Sequence, residues 1–175
     1  MEFLHKKLKL KRGFTLIEML IYAVILATVS VLAVKSTFSM VNAFAEIRVS
    51  RDVNSAATTA LERVVREVRK AESVDLGQST LGSHPGRLTL NTTDSLGAAT
   101  TVEFYIENGL LKIKEGGVAK GQLIPSSAQV TNLIFNNIST TASEAMRTTM
   151  QVSAQRGNAQ NERVFYTTTI LRGSY

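Results

Sequence analysis

The chain has 175 residues, of which 44% are hydrophobic and 19% charged, and it contains no cysteine. This length suits one domain, with or without an appendage. The absence of cysteine excludes a disulfide framework, a thiolate zinc site and a cysteine nucleophile. The sequence also lacks a glycine-rich phosphate loop and the HExxH and GxSxG motifs, so it predicts no enzyme activity and no cofactor.

The formal net charge of +6 is concentrated at the N-terminus. Residues 1–13 carry five cations against Glu2, a net charge of +4 that leaves +2 for the other 162 residues. The five cations are Lys6, Lys7, Lys9, Lys11 and Arg12. Because no basic patch with interleaved aromatic residues follows, nucleic acid binding is not expected. A basic terminus of this kind favours the cytoplasmic side of a membrane.

A long apolar run follows the basic residues. From Phe14 to Val34 the chain has 21 residues with a single charge, that of Glu18. As a helix this run would span roughly 31 Å, about the thickness of the hydrocarbon core of a bilayer. We therefore predict a membrane-spanning helix over residues 14–34, with the rest of the chain outside the cytoplasm.

Three interpretations of this N-terminus are open. A secretory signal peptide would have a shorter apolar core, and its best cleavage site here, Val31-Leu32-Ala33, is a poor one. An uncleaved single-pass anchor, whose extracytoplasmic β domain binds a partner, explains the basic flank and the length of the run. It explains neither Gly13 nor Glu18. A carboxylate inside a membrane costs about 2.5–3.5 kcal/mol unless it reaches the headgroups, and it is by default a functional candidate.

The third interpretation explains both residues. The hexapeptide Gly13-Phe14-Thr15-Leu16-Ile17-Glu18, preceded by lysines and arginine, resembles the class III signal peptide of type IV prepilins and type II secretion pseudopilins. This resemblance implies that a prepilin peptidase cuts after Gly13 on the cytoplasmic side and N-methylates the new terminus at Phe14. Glycine at the cut leaves the backbone flexible and open to a protease. The mature protein would then begin with its membrane helix.

The same resemblance assigns a role to Glu18 in assembly. In this family the matching carboxylate pairs with the terminal amine of a neighbouring subunit, so Glu18 would fix the stagger between subunits. Leaving either charge unpaired in a low-dielectric setting costs several kcal/mol. The implied partners are the prepilin peptidase, other pilin or pseudopilin subunits, the inner-membrane assembly platform and the lipid bilayer. The implied location is the cytoplasmic membrane, and a pilus or pseudopilus after assembly.

An amphipathic continuation of the helix is predicted over residues 35–73, which contain neither proline nor glycine. Its apolar residues recur at steps of three and four, which is typical of one helix face. They are Val53, Ala57, Leu61, Val64, Val68 and Ala71. The pairs Glu62 with Arg66 and Arg63 with Glu67 have the spacing of ion pairs, and we interpret them as a solvated face.

Period-two patterns predict an antiparallel β domain over residues 74–175. Asn108-Gly109 is the signature of a type I′ hairpin, which would place Glu103 opposite Lys114 and Ile106 opposite Leu111. Further strands are predicted at 87–90, 130–138, 147–155 and 163–172, with a polar loop at 156–162. An antiparallel sheet with one apolar face needs a cover, and the helix stripe is available. The predicted fold class is therefore α+β, a long N-terminal helix packed by its second half on a C-terminal antiparallel β-sheet.

More narrowly, the chain resembles J-type pseudopilins and W-type minor pilins. The resemblance rests on ALERVVREVRKA, the VEFYIENGLLKI hairpin, VTNLIF and the closing TTTILRGSY. Unlike many major pilins, the chain has no proline or glycine in the membrane half of the helix and no cysteine loop. After Glu115 only Glu144 and Glu162 are acidic, so no metal site is predicted. A structural, minor subunit of a pilus or secretion pseudopilus is the expected function.

Overall fold

The computed structural model describes residues 13–140 and 143–172. The predicted leader up to Arg12 and the last three residues lie outside the described residues. The chain divides into two compact units, residues 1–42 and residues 43–175. The first unit contains the start of helix α1, which runs Leu16–Lys70, and the second contains the rest of α1 and eight strands.

Helix α1 ends three residues before the predicted boundary at Ser73. Arg69 and Lys70 lie in its last turn, where cations interact favourably with the helix dipole. Ala71 N–H still donates to the carbonyls of Glu67 and Val68. The next residue, Glu72, donates its N–H to Asn91 O at 2.9 Å. The helix therefore ends where the backbone N–H groups begin to bond to the sheet instead of to the preceding helical turn.

The strands form two antiparallel sheets rather than one. Their bounds are β1 Ser73–Val74, β2 Leu88–Thr93, β3 Ala99–Glu107, β4 Leu110–Glu115, β5 Val118–Gln122, β6 Ala128–Ser139, β7 Glu144–Arg156 and β8 Ala159–Ile170. The first sheet has the order β1-β2-β3-β4-β5, and the second has the order β6-β7-β8. Neighbours in each sheet are neighbours in sequence, and the longest connection within a sheet is residues 75–87, between β1 and β2.

The hairpin predicted at Asn108-Gly109 is confirmed in both turn and register. Asn108 and Gly109 have φ of 53° and 73°, the positive values that a type I′ turn requires. The β3–β4 ladder pairs Glu103 with Lys114 and Ile106 with Leu111. The Lys114 ammonium lies 3.3 Å from Glu103. Local turn chemistry and the apolar pattern specify the same register here, which is why the prediction succeeded.

The predicted polar loop at 156–162 is wrong. Strands β7 and β8 continue through it to a two-residue turn at Gly157-Asn158, and Arg156 pairs directly with Ala159. Gly157 has a φ of 58°, which suits a tight hairpin turn. The alternation predicted for β7 is confirmed, since Thr148, Met150, Val152 and Ala154 are buried. Strands β1 and β5 were not predicted from the sequence.

One apolar core joins the second half of α1 to both sheets. The predicted helix stripe is confirmed, because all of its residues are buried except Leu61, which is half-buried. Val49, Ala56 and Ala60 extend the stripe. Small residues on this face let the helix backbone approach the large strand side chains. The largest of those, all fully buried, are Phe104, Phe135, Leu88, Leu90, Leu111 and Leu133. The α+β fold class is therefore confirmed.

The interpretation of the Arg63–Glu67 pair as a solvated face is wrong. The Glu67 side chain is only 8% exposed, and its carboxylate lies 3.1 Å from Arg63 Nε. The Arg63 guanidinium also bonds Glu115 of β4 at 2.5 Å. Arg63 thus links the helix to the first sheet through two carboxylates. Glu62 and Arg66 are exposed, and these two described residues form no ion pair.

We predict that Glu67→Gln lowers the free energy of unfolding by about 1–2 kcal/mol. The substitution removes a nearly buried charge but leaves the half-exposed Arg63 paired with Glu115, so the cost falls below that of breaking an isolated buried pair. Thermal unfolding of the detergent-solubilised full chain measures the change. Glu62→Gln is the matched control, one exposed glutamate on the same helix. Equal melting temperatures for the two variants would contradict the prediction.

Candidate functional site

The start of helix α1 is fixed by Thr15. The Thr15 hydroxyl accepts a hydrogen bond from the N–H of Glu18 at 3.3 Å, and the Thr15 carbonyl accepts from Met19 N–H at 3.2 Å. Thr15 is therefore the N-cap of the helix. The Thr-x-x-Glu spacing is that of a capping box, a pattern visible in the sequence. Sequence reasoning nevertheless missed this role of Thr15.

Gly13 lies outside the helix and is exposed. A side chain built at this position would meet no atom within 4 Å. Its φ is not among the positive values that favour glycine, so neither packing nor backbone conformation requires a glycine here. Its flexibility and its lack of a side chain leave the Gly13–Phe14 bond accessible. The reason for a glycine at this position must then come from outside the fold.

Glu18 has a neutral partner on its own helix. The Tyr22 hydroxyl lies 3.4 Å from Glu18 Oε1 and can donate a hydrogen bond to it. The Phe14 ring meets the Tyr22 ring edge-on, with centroids 6.3 Å apart and planes at 80°. Phe14, Glu18 and Tyr22 are spaced by four residues, so they form one row along the helix. Tyr22 was not singled out from the sequence, although its spacing from Glu18 could have indicated it.

No cation among the described residues pairs with Glu18. The ion pairs of this part of the chain involve Arg63, Arg87, Lys112 and Lys114 only. The residues from Phe14 to Val34 contain no lysine, arginine or histidine. A hydroxyl hydrogen bond satisfies one lone pair of the carboxylate but does not neutralise its charge. Among the described residues, the Glu18 carboxylate therefore has no cationic partner.

The other polar side chains of the apolar run are satisfied within the helix. The hydroxyls of Thr28 and Ser30 each donate to the carbonyl four residues earlier at 2.8 Å, and Thr37, just beyond the run, does the same at 3.0 Å. Such back-bonding lets serine and threonine lie in lipid without water. Helix α1 is long and apolar enough to cross a membrane, and none of its most apolar window is buried. Glu18 is thus the exception in a segment otherwise suited to lipid.

These features define a membrane-anchoring helix preceded by an accessible glycine and carrying one charge near its start. Residues 8–34 match the family described as "Prokaryotic N-terminal methylation motif". The N-terminus therefore carries a motif like that of the class III signal peptides of prepilins and pseudopilins, and the match covers 27 of the 175 residues. Comparisons of the chain with curated proteins and with solved structures gave no match.

We predict an energetic coupling of about 1 kcal/mol between Tyr22 and Glu18 in membrane insertion, since a hydrogen bond to a charged group contributes about 1.5–3 kcal/mol when well formed. The variants Tyr22→Phe, Glu18→Leu and the double variant complete the cycle. Tyr22→Phe keeps the ring contact with Phe14 and removes only the hydroxyl. Apparent insertion free energies from a translocon assay provide the measurement. A Tyr22→Phe effect that is the same with and without Glu18 would contradict the coupling.

Proposed function

We propose that this chain is the precursor of a structural, minor subunit of a type IV pilus or type II secretion pseudopilus. Prepilin peptidase cuts it after Gly13 and N-methylates Phe14, and the mature protein assembles through its N-terminal helix. The observation that carries this proposal is the methylation motif over residues 8–34. Supporting it, Gly13 is exposed at the start of the helix and has no role in the fold.

Each segment of the chain has a part in this proposal. Residues 1–13 form a leader that sets the topology and is then removed. Residues 14–34 anchor the subunit in the cytoplasmic membrane, with the N-terminus inside, and later pack with equivalent helices in the filament core. Residues 35–73 continue the helix, and residues 74–175 form the extracytoplasmic β domain. The basic leader supports this orientation, because positive residues remain on the cytoplasmic side.

Glu18 fixes the stagger between subunits in this proposal. Cleavage after Gly13 creates an α-ammonium at Phe14 of each neighbour, a charge that the precursor lacks. Among the described residues, the Glu18 carboxylate has only the neutral hydroxyl of Tyr22 as a hydrogen-bond partner. The α-ammonium of another subunit would add the positive charge that these residues do not supply. In lipid, an uncompensated carboxylate costs several kcal/mol. If the neighbouring subunit is out of register, its α-ammonium does not reach Glu18, and the free-energy cost of the unpaired carboxylate remains.

The proposed role is structural rather than enzymatic, and it favours a minor subunit. The described residues contain no group of three histidine, cysteine, aspartate or glutamate side chains that could hold a metal ion. The chain also lacks the cysteines of the C-terminal disulfide loop common in major pilins. The resemblance of its helix end and its β3–β4 hairpin to J-type pseudopilins and W-type minor pilins supports the minor role. The assembly platform in the inner membrane is the expected partner during incorporation.

We predict that the membrane-extracted protein from a host with active prepilin peptidase begins at Phe14 and carries an added methyl group there. Intact mass and N-terminal peptide analysis measure both changes. In the same host without the peptidase, the mass should correspond to the full sequence. An intact Met1 in the presence of the active peptidase would overturn the proposal, and would favour an uncleaved anchor with a partner-binding β domain.

We predict that Glu18→Val blocks incorporation into filaments while membrane insertion stays equal or improves, because valine removes the cost of a carboxylate in lipid. The fraction of subunit in sheared filaments, relative to the membrane fraction, measures incorporation. Glu46→Val is the matched control, since Glu46 lies on the same helix outside the apolar run. Normal incorporation of the Glu18→Val subunit would remove the proposed role of Glu18.

A further inference from the structure

The two edges of the second sheet differ in how they are covered. At the β6 edge, Gly82 N–H donates to Phe135 O and Gly86 N–H donates to Leu133 O, at 2.8 and 2.9 Å. His84 Nδ1 accepts from Leu133 N–H at 3.1 Å in the same place. The opposite edge is β8, which among the described strands pairs only with β7. One long side of a 12-residue strand is therefore open.

The ladder shows which backbone groups are open. Leu171 N–H donates to Glu144 O at 3.0 Å, and Arg156 pairs with Ala159 across the hairpin turn. Hydrogen-bonded pairs alternate along an antiparallel ladder, so the odd-numbered residues of β8 bond to β7. The N–H and C=O groups of the even-numbered residues then point away from the sheet. From residue 164 to the end of β8, the even-numbered residues are Val164, Tyr166, Thr168 and Ile170.

The composition of β8 favours pairing with a further strand, whereas that of β5, an edge strand of the first sheet, disfavours it. Strand β5 is short and carries Lys120 together with Gly121 at a φ of 121°, and its ladder with β4 is irregular at Ile113/Lys114. Charges, bulges and short length are the usual protection of an exposed edge. Residues 164–170 of β8 have no charge, proline or glycine. Their β-branched and aromatic residues favour strand pairing.

The side chains next to the open backbone groups are apolar and exposed. Val164, Tyr166 and Ile170 are 43%, 64% and 53% exposed. They lie on the face of β8 opposite to Phe165 and Leu171, which pack against or within the core. A strand added beside β8 would bring its own alternate side chains level with this exposed row. The open edge thus offers both backbone hydrogen bonds and apolar contact.

A basic cleft marks the C-terminal end of the edge. It has a volume of about 490 Å³ and is lined by Arg69, Thr168, Thr169, Ile170 and Arg172. Neither arginine forms an ion pair with a carboxylate of the described residues. Two such guanidinium groups favour a carboxylate between them. Strand β8 itself has one acidic residue, Glu162, and its carboxylate already accepts a hydrogen bond from the Thr131 hydroxyl at 2.8 Å within the same sheet. We therefore expect the acidic group from a different partner, and self-association through β8 is the competing outcome of the test below.

We propose that β8 is a docking edge for an extended segment of a partner protein. The segment adds to the second sheet as a further strand, its backbone bonding the even-numbered residues from Val164 to Ile170. Its central side chains are uncharged, and an acidic side chain at its end lies between Arg69 and Arg172. This mode of recognition is strand addition to an exposed sheet edge. It does not depend on cleavage after Gly13 or on filament assembly.

The test uses the full chain in lipid nanodiscs and a fluorescent peptide of alternating threonine and valine with an aspartate at each end. We expect saturable binding. Thr168→Pro should weaken it at least tenfold, because proline removes an N–H from the open side and leaves the ladder to β7 intact. Thr168→Ala, which keeps that N–H, should bind within twofold of the unmodified chain. Failure of the peptide to bind the unmodified chain would overturn the proposal.

Charge recognition has its own matched pair of variants. Arg69→Gln should weaken binding of the aspartate peptide about fivefold or more, whereas Arg66→Gln, on the same helix but outside the cleft, should not. A peptide with asparagine in place of both aspartates should bind the Arg69→Gln variant and the unmodified chain with equal affinity. A loss of affinity that is equal for both arginines would indicate non-specific attraction and would contradict the placement of the acidic group.

Hydrogen exchange provides a readout that remains valid if Thr168→Pro fails to fold. Bound peptide should slow exchange of the Val164, Tyr166 and Thr168 amides, while the odd-numbered amides, already bonded to β7, change little. Tyr166→Lys, which places a charge on the edge without altering the backbone donors, is the second variant and should weaken binding. Protection without this alternation would overturn strand addition. Peptide-free self-association of the full chain through β8, with no peptide binding, would assign the edge to a second copy instead.

Discussion

Burial of one narrow face of helix α1 is the constraint on which the β domain depends. Residues from Val49 to Ala71 present small and medium side chains at helical spacing, and both sheets pack on them in one core. Each sheet alone has an apolar face and too few strands to bury it. Because both sheets pack on the same helix face, their apolar faces are buried without a large second layer. The small residues Ala56, Ala57 and Ala60 are fully buried, so larger side chains there would push the sheets away.

The two halves of helix α1 are suited to different environments, the first to lipid and the second to a protein core with water on one side, and their sequences differ accordingly. Between Phe14 and Val34 every side chain except Glu18 is uncharged, and the hydroxyls of Thr28 and Ser30 bond to the helix backbone. Beyond Val49 the apolar residues lie on one face of the helix, and the charged residues lie mainly on its other faces. An all-round apolar helix is suited to lipid or to other helices, whereas an amphipathic helix is suited to a core with water on one side. Both properties can be read from one uninterrupted helix because no proline or glycine separates them.

Features specified by nearby residues could be predicted from the sequence, and features specified by distant partners could not. The β3–β4 hairpin depends on Asn108-Gly109 and on alternation within a few residues, so its register followed directly. The burial of Glu67 depends on Arg63 and on Glu115, which lies 52 residues from Arg63. Helical spacing alone therefore predicted that Arg63 and Glu67 lie on a solvated face. Strand β5 has no alternating apolar pattern, and all its residues are exposed, so only its pairing with β4 defines it.

At the candidate site, the sequence identified the residues with unusual chemistry but not those that support them. Gly13 and Glu18 stood out because a glycine at a charge boundary and a carboxylate in an apolar run are costly without a purpose. Thr15 and Tyr22 are ordinary residues whose roles appear only in the geometry around Glu18. Their contacts satisfy the Glu18 backbone N–H and one carboxylate oxygen. The charge itself has no counterpart among the described residues, and a hydrogen bond from a neutral hydroxyl can be exchanged for one from a cation. Thr15 and Tyr22 therefore hold the Glu18 backbone and carboxylate in place, and neither of them supplies a countercharge.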